Sequence, residues 1–240
     1  NKVSNMGYRT LEQCVNDMEK HGHLLRVAEP VEANLEVAEI HRRVFQSGGP
    51  ALLFENVKEC RFRMVSNLFG TIERSRFMFR DTMESVRRAI ELKVDPSQAA
   101  ARPWRYWRAP LTALTMQPRR SRSGPVLKNQ CRLSDLPQMK SWPDDGGPFV
   151  TLPQVYSHVP QQTSLKHSNL GMYRIQMSGN DYVKDEEVGL HYQIHRGIGV
   201  HHQVAANLEV DLPVNVFVGG TPAMTLSAVM PLPEGMSELT

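Results

Sequence analysis

Apolar positions follow two different rhythms along this chain. Up to about residue 124 they recur at helical spacings between short apolar runs; from residue 125 onward they gather in short extended runs separated by Pro, Gly and Asp. In the first part, Thr10-Leu11-Glu12-Gln13 has the form of a capping box and predicts a helix running to Lys20, which His21-Gly22 ends. Leu24 to Val27 predicts a short strand. Asn34 is placed to cap a second helix with Leu35, Ala38, Ile40 and Val44 inward, stopped by Gly48-Gly49. Ala51 to Phe54 and Phe62 to Val65 read as strands, and Asp81-Thr82-Met83-Glu84 opens a helix that buries Val86, Ile90 and Val94. This half is an α/β layer.

The second part predicts strands at Val150 to His158, Leu170 to Met177, Val188 to His195 and Val214 to Val218, arranged as in a barrel. Thr221-Pro222 suits a helix start, with Ala223 to Val229 following. Between the parts, Arg102 to Arg122 holds six arginines with Trp104, Tyr106 and Trp107 interleaved. Such a mixture can bind single-stranded nucleic acid. The favoured reading is a connector, broken by Pro103, Pro110 and Pro118, whose aromatics pack down and whose arginines stay solvated. The expected division is therefore an α/β domain with its connector over 1–124 and a strand-rich domain over 125–240. The fold class is mixed α/β.

Composition narrows the functional classes. A net charge of +3 on 240 residues argues against a dedicated nucleic-acid binder. Cys14, Cys60 and Cys131 form no CxxC pair, so neither a disulfide framework nor a thiolate metal site is expected, and a reducing cytoplasm fits. No apolar run reaches the length of a membrane span, and the opening Asn1-Lys2-Val3-Ser4-Asn5 lacks the apolar core of a signal peptide. A start without Met, and an end at Thr240 inside a motif, suggest the front part of a longer enzyme.

Three segments each offer one hard metal ligand. They are Asn169-Leu170-Gly171-Met172-Tyr173-Arg174, Gly189-Leu190-His191-Tyr192-Gln193-Ile194-His195, and Met230-Pro231-Leu232-Pro233-Glu234-Gly235-Met236-Ser237-Glu238. An amide oxygen, an imidazole and a carboxylate suit an oxygen-preferring ion such as Mn2+ or Mg2+. On one regular strand Met172, Arg174 and Gln176 share a face and Asn169 takes the other, so Gly171 is expected to form a bulge that re-aims Asn169. His191, Gln193 and His195 share a strand face. Read as a helix, His191 and His195 have the spacing of zinc proteases, but position 192 is Tyr where a general-base Glu would stand. A histidine-rich metal barrel using His201-His202 is the rival reading. Asp181, Asp185, Glu186 and Glu187 read as a solvated loop, and Gly219-Gly220 as a tight turn or a phosphate cradle.

Taken in order, the three ligand segments resemble the UbiD-type reversible decarboxylases, which use prenylated FMN. Gly48-Gly49-Pro50-Ala51-Leu52-Leu53-Phe54-Glu55-Asn56, Asn67-Leu68-Phe69-Gly70-Thr71 and Trp142-Pro143-Asp144-Asp145-Gly146-Gly147-Pro148-Phe149-Val150-Thr151 extend the resemblance through most of the chain. It implies an amino-terminal α/β domain followed by an incomplete split β-barrel of flavin-reductase type. It implies Asn169, His191 and Glu238 as ligands of Mn2+ or Mg2+, with Glu234 a rival carboxylate, and K+ held by carbonyls near Ser227 and Met230. Met172, Tyr173 and Arg174 would contact the flavin, as would Gln193, His195, Arg196 and Gly197; Arg174 would also hold the substrate. The implied reaction is non-oxidative decarboxylation of a hydroxybenzoate-like or other unsaturated carboxylic acid. A flavin prenyltransferase supplies the cofactor, the full-length protein is a homo-oligomer, and the proton donor lies downstream of Thr240. A flavin- and metal-binding module without turnover, or a fragment with a vestigial site, are the alternatives.

Overall fold

A computed structural model describes residues 7–107, 109–110, 114, 121–195, 197–230 and 237–239. Helix α1 (Leu11–Lys20) begins and ends where the sequence predicts, with the Thr10 hydroxyl accepting from the Gln13 N–H at 3.1 Å. The return bond of the capping box comes from the Arg9 N–H, one residue earlier than expected, to Gln13 Oε1 at 2.9 Å. Strands β1 (Leu24–Val27), β2 (Ala51–Phe54) and β3 (Met64–Ser66) form one sheet in that order, with β1 and β2 parallel and β2 and β3 antiparallel.

The central strand explains why Ala51-Leu52-Leu53-Phe54 is apolar throughout: both faces of β2 are covered. Alternation sends Ala51 and Leu53 to one side, against Cys14, Val15 and Met18 of α1, and Leu52 and Phe54 to the other, against Val31, Val37 and Val57. Val37 belongs to helix α2 (Glu36–Gln46), which departs from expectation at its start. Asn34 does not cap it. Leu35 occupies the cap with φ 65°, and Asn34 bridges to Lys140 instead. The helix begins one residue later than an Asn34 cap would set, and Val37, absent from the expected inward set, is its deepest residue. The Leu35 N–H donates to the Lys140 carbonyl at 2.9 Å, and Met139 enters the Phe54 cluster, so residues 139–140 are fastened to this layer.

Helix α3 (Ile72–Met78) is an addition to the sequence reading, although its signal was present: Thr71 accepts from the Arg74 N–H at 3.1 Å. Helix α4 (Met83–Val94) follows as predicted, but the Thr82 side chain makes no capping bond. Of the three connector aromatics Tyr106 alone packs down, buried with its hydroxyl donating to Glu91 at 2.9 Å. Trp104 and Trp107 remain exposed, contrary to expectation, because the short helix Pro103–Tyr106 turns them outward while Tyr106 packs.

The second part consists of two antiparallel three-stranded sheets. One has the order β4 (Phe149–Val150), β7 (Arg174–Gln176), β8 (Gly189–His191); the other has β6 (Ser168–Met172), β5 (Gln154–His158), β9 (Asn215–Phe217). Three predicted single strands are therefore shorter or divided. Residues 150–158 break at Leu152, whose φ is 51°. Residues 188–195 stop pairing at His191. Residues 170–177 become β6 and β7 in different sheets, with Tyr173 between them. Helices α5 (Ile198–Asn207) and α6 (Pro222–Ser227) complete this part, the latter capped by Thr221, which accepts from the Met224 N–H at 3.3 Å. Gly220 in the turn before α6 lies against the buried Gln154 amide, where a Cβ would stand 2.3 Å from Oε1; packing accounts for this glycine. Among the described residues, no helix is long and apolar enough to cross a membrane.

Candidate functional site

The change of sheet at Tyr173 builds the centre of the site. Asn169 stands in β6 opposite Ser157 of β5 and is buried, while Tyr173 swings its ring back over the strand it has just left. The ring lies so close to Gly171 that a Cβ there would be 2.4 Å from the hydroxyl oxygen. Glycine is thus required for close approach rather than for the expected bulge. The Tyr173 hydroxyl accepts from Asn169 Nδ2 at 3.2 Å and from the Ile198 N–H at 3.4 Å. Residues 25 positions apart meet at one oxygen.

Gly197 closes this arrangement from the start of α5. Its φ of 45° and ψ of −99° suit glycine, and a Cβ on it would lie 2.0 Å from Asn169 Oδ1 and 2.8 Å from the Tyr173 oxygen. Gly197 has no side chain to cap α5, and the Tyr173 hydroxyl takes the first N–H of the helix, that of Ile198, at the same corner. Glu238 joins the same strand: its Oε2 accepts from the Leu170 N–H at 2.9 Å, next to Asn169 in β6, the edge strand of its sheet among the described residues. Ser237 and Ser168 join their hydroxyls at 3.0 Å beside it. A buried amide oxygen, a carboxylate and a helix start have the chemistry to hold a divalent cation together with an anionic group.

Arg174 and His191 form a second cluster, directly opposite each other in the β7–β8 pairing. The guanidinium lies 4.3 Å above the Phe149 ring and 3.4 Å from Asp145 Oδ1, and His191 meets the same ring edge-on at 6.0 Å. Phe149 and Asp145 are the platform that the sequence reading missed, although both stand in the Trp142–Thr151 segment already singled out. The two clusters are linked through Tyr192, next to His191, whose ring is 6.4 Å from that of Tyr173. Among the described residues, no three His, Cys, Asp or Glu side chains gather as a metal group.

The remaining expected residues divide by position. Met172 ends β6 half-buried, while Gln193 and His195 lie in an exposed turn beyond β8 and do not share a strand face with His191. Arg196 and Glu234 lie outside the described residues. His201 and His202 point to different partners, His201 to the Ser157 hydroxyl at 2.9 Å and His202 to the Tyr192 hydroxyl. They do not join His191 as the rival metal barrel requires.

Burial pushes the His201 imidazole below the usual histidine range, and nearby His158 acts in the same direction. For a base held neutral by the fold, the unfolded chain binds more protons in acid. The His201 contribution is therefore intact above the ordinary pKa of about 6.5 and erodes as pH falls through it. Melting temperature is expected to fall between about pH 7.5 and about pH 5.5, and His201→Gln to remove part of that fall; His41, depressed by its own burial, carries another part. An identical pH slope in the variant would assign the effect elsewhere.

Known proteins share this fold. A family model described as the 3-octaprenyl-4-hydroxybenzoate carboxy-lyase Rift-related domain matches residues 118–240, and the model of that enzyme's N-terminal domain matches residues 15–93. A 4-hydroxybenzoate decarboxylase subunit from Chlamydia pneumoniae is 40% identical over 219 residues, covering 90% of this chain and 36% of its own. The closed form of vanillic acid decarboxylase from Sedimentibacter hydroxybenzoicus has a TM-score of 0.77 at 22% identity, over 97% of this chain and 47% of its own. An evolved dimeric form of HmfF from Pelotomaculum thermopropionicum, solved with prFMN, has a TM-score of 0.71 at 20% identity, over 96% and 49%. The chain spans less than half the length of these relatives.

Proposed function

The chain belongs to the UbiD family, and we propose that it supplies the cofactor-holding part of a reversible, non-oxidative decarboxylase for a hydroxybenzoate-like or other α,β-unsaturated carboxylic acid. The observation that carries this reading is the meeting of Asn169, Tyr173, Gly197 and Glu238 at the edge of β6. Loss of CO2 from an sp2 carbon leaves an unstable carbanion, and prenylated FMN supplies the electron sink when bound. Asn169 and Glu238 would hold Mn2+ or Mg2+ with His191 as the third protein ligand, and carbonyls near Ser227 and Met230 would hold K+. Met172, Tyr173, Arg174 and Gly197 would contact the flavin, as would Gln193 and His195 from the turn before α5, and Arg196.

Arg174 has the separate task of orienting the substrate. Its guanidinium is exposed above Phe149, and Asp145 is its only carboxylate partner among the described residues. A planar fork can take a substrate carboxylate by two charge-assisted hydrogen bonds and fix the bond to be broken relative to the cofactor. The names of the relatives, 4-hydroxybenzoate and vanillic acid decarboxylases, favour a phenolic acid as substrate. We read residues 1–124 as the α/β domain and 125–240 as the flavin-binding one, within a homo-oligomer that receives its cofactor from a flavin prenyltransferase.

Native mass spectrometry tests the reading, on protein expressed from its whole reading frame beside a flavin prenyltransferase with Mn2+ and K+ supplied. The expected mass includes prenylated flavin and a divalent ion, and the same sample is expected to release CO2 from a panel of aromatic acids. Cofactor without turnover would leave a flavin-binding module. Neither flavin nor metal would overturn the proposal.

A further inference from the structure

The Tyr173 hydroxyl is shared more fully than a flavin contact requires. It accepts from Asn169 Nδ2 at 3.2 Å and from the Ile198 backbone at 3.4 Å, and a phenol oxygen has two lone pairs and one proton. Both lone pairs are therefore engaged, and the proton is left to give. Two glycines permit the arrangement: side chains at Gly171 and Gly197 would each enter the space that the hydroxyl occupies, at 2.4 and 2.8 Å. Asn169 is buried where Tyr173 is half-buried, and its Oδ1 lies against Gly197.

We infer that Tyr173 is a positioning residue for the divalent metal: by engaging the Asn169 NH2 it fixes the amide so that Oδ1, the only atom of that side chain able to ligate a cation, is presented to the ion. This rests on the reading of Asn169 as a metal ligand. An unrestrained amide rotates, and half of its orientations offer the cation an NH2 group. A hydroxyl whose proton is given to an anionic ligand can only accept, so the NH2 must face it. The same oxygen holds the first N–H of α5, which places the amide and the helix start in fixed relation. Groups that orient a metal ligand in this way typically alter metal affinity by about 10- to 100-fold when removed.

Tyr173→Phe deletes the hydroxyl and keeps the ring over Gly171. The test is Mn2+ titration followed by electron paramagnetic resonance, on the protein from its whole reading frame and without substrate, with thermal melting recorded for each variant. The expected result is tight binding in the wild type, loss in Asn169→Ala, and a roughly 10- to 100-fold weaker affinity in Tyr173→Phe with little change in melting. Asn169→Asp supplies the decisive comparison: a carboxylate has no NH2 to orient, so adding Tyr173→Phe to it is expected to change Mn2+ affinity by much less than in the wild type. Equal losses in both backgrounds would make the tyrosine a general structural support and overturn the inference. Wild-type affinity in Tyr173→Phe would do the same. Mn2+ binding that ignores Asn169→Ala would instead overturn the ligand assignment beneath it.

Discussion

Alanine at Arg174 is expected to reduce turnover of the whole protein by about 10^2- to 10^4-fold while its metal stays bound. The range follows from one lost fork: two hydrogen bonds to a charged group at about 1.5–3 kcal/mol each, converted at about 1.4 kcal/mol per factor of ten. The fold should scarcely respond. The Arg174 side chain is 63% exposed and its ion pair with Asp145 spans 3.4 Å, a kind of contact that contributes about 0–1 kcal/mol. Activity and stability therefore separate at this residue, which is the signature of a group kept for substrate. Lysine preserves the charge but not the planar fork, so Arg174→Lys should fall between wild type and alanine. Steady-state kinetics with a phenolic acid, beside a melting curve, decides the matter; an Arg174→Ala enzyme with wild-type kcat/KM would remove Arg174 from catalysis.

Parts of this architecture are visible in the residue pattern because the signals are local. Leu24–Val27 and Ala51–Phe54 are apolar runs closed by turn residues, and Thr10 and Thr221 cap their helices through hydroxyls a few positions from their partners. The sheet change at Tyr173 is different. Period-two alternation is the same whether a run pairs with one strand or passes between two sheets, so Leu170 to Met177 reads as one strand. For the same reason Asn169 and Arg174 read as opposite faces of one strand, whereas the corner puts them in different sheets. Leu35 shows a second limit: a leucine at φ 65° is held by its bond to Lys140, more than a hundred residues away, and no local preference announces it.

Within the site, Asn169, His191 and Glu238 could be picked out by residue type and resemblance, but their distribution could not. The structure joins Glu238 to the strand of Asn169 through the Leu170 N–H and sets His191 opposite Arg174 on another sheet. Phe149, Asp145 and the Ser157–His201 pair stayed hidden because each matters only through a neighbour brought by the sheet register or by α5. An aromatic or serine in a strand has no distinguishing mark until its partner is known.

Two glycines in unfavourable backbone conformations separate the cost of strain from the cost to the site. Gly22 has φ 76° with open space where a Cβ would go, whereas Gly197 has φ 45° with Asn169 Oδ1 2.0 Å from that point. Alanine at Gly22 is expected to cost about 1–2 kcal/mol of stability, the penalty of a positive φ, and to leave cofactor binding intact. Alanine at Gly197 meets at least that penalty, since ψ −99° lies outside the left-handed helical region, and also displaces the Asn169 amide, the Tyr173 hydroxyl and the first turn of α5 together. Because Asn169 is buried, with its amide against Gly197 and the Tyr173 hydroxyl, it has little room to retreat. Gly197→Ala should therefore lose prenylated flavin and Mn2+ from the whole protein, beyond any drop in melting temperature that Gly22→Ala shares. Native mass and melting curves of the two variants, measured side by side, distinguish the effects. Equal destabilisation with cofactor retained in both would mean that the Asn169 corner is packing alone, and the metal and flavin would have to be sought elsewhere on the chain.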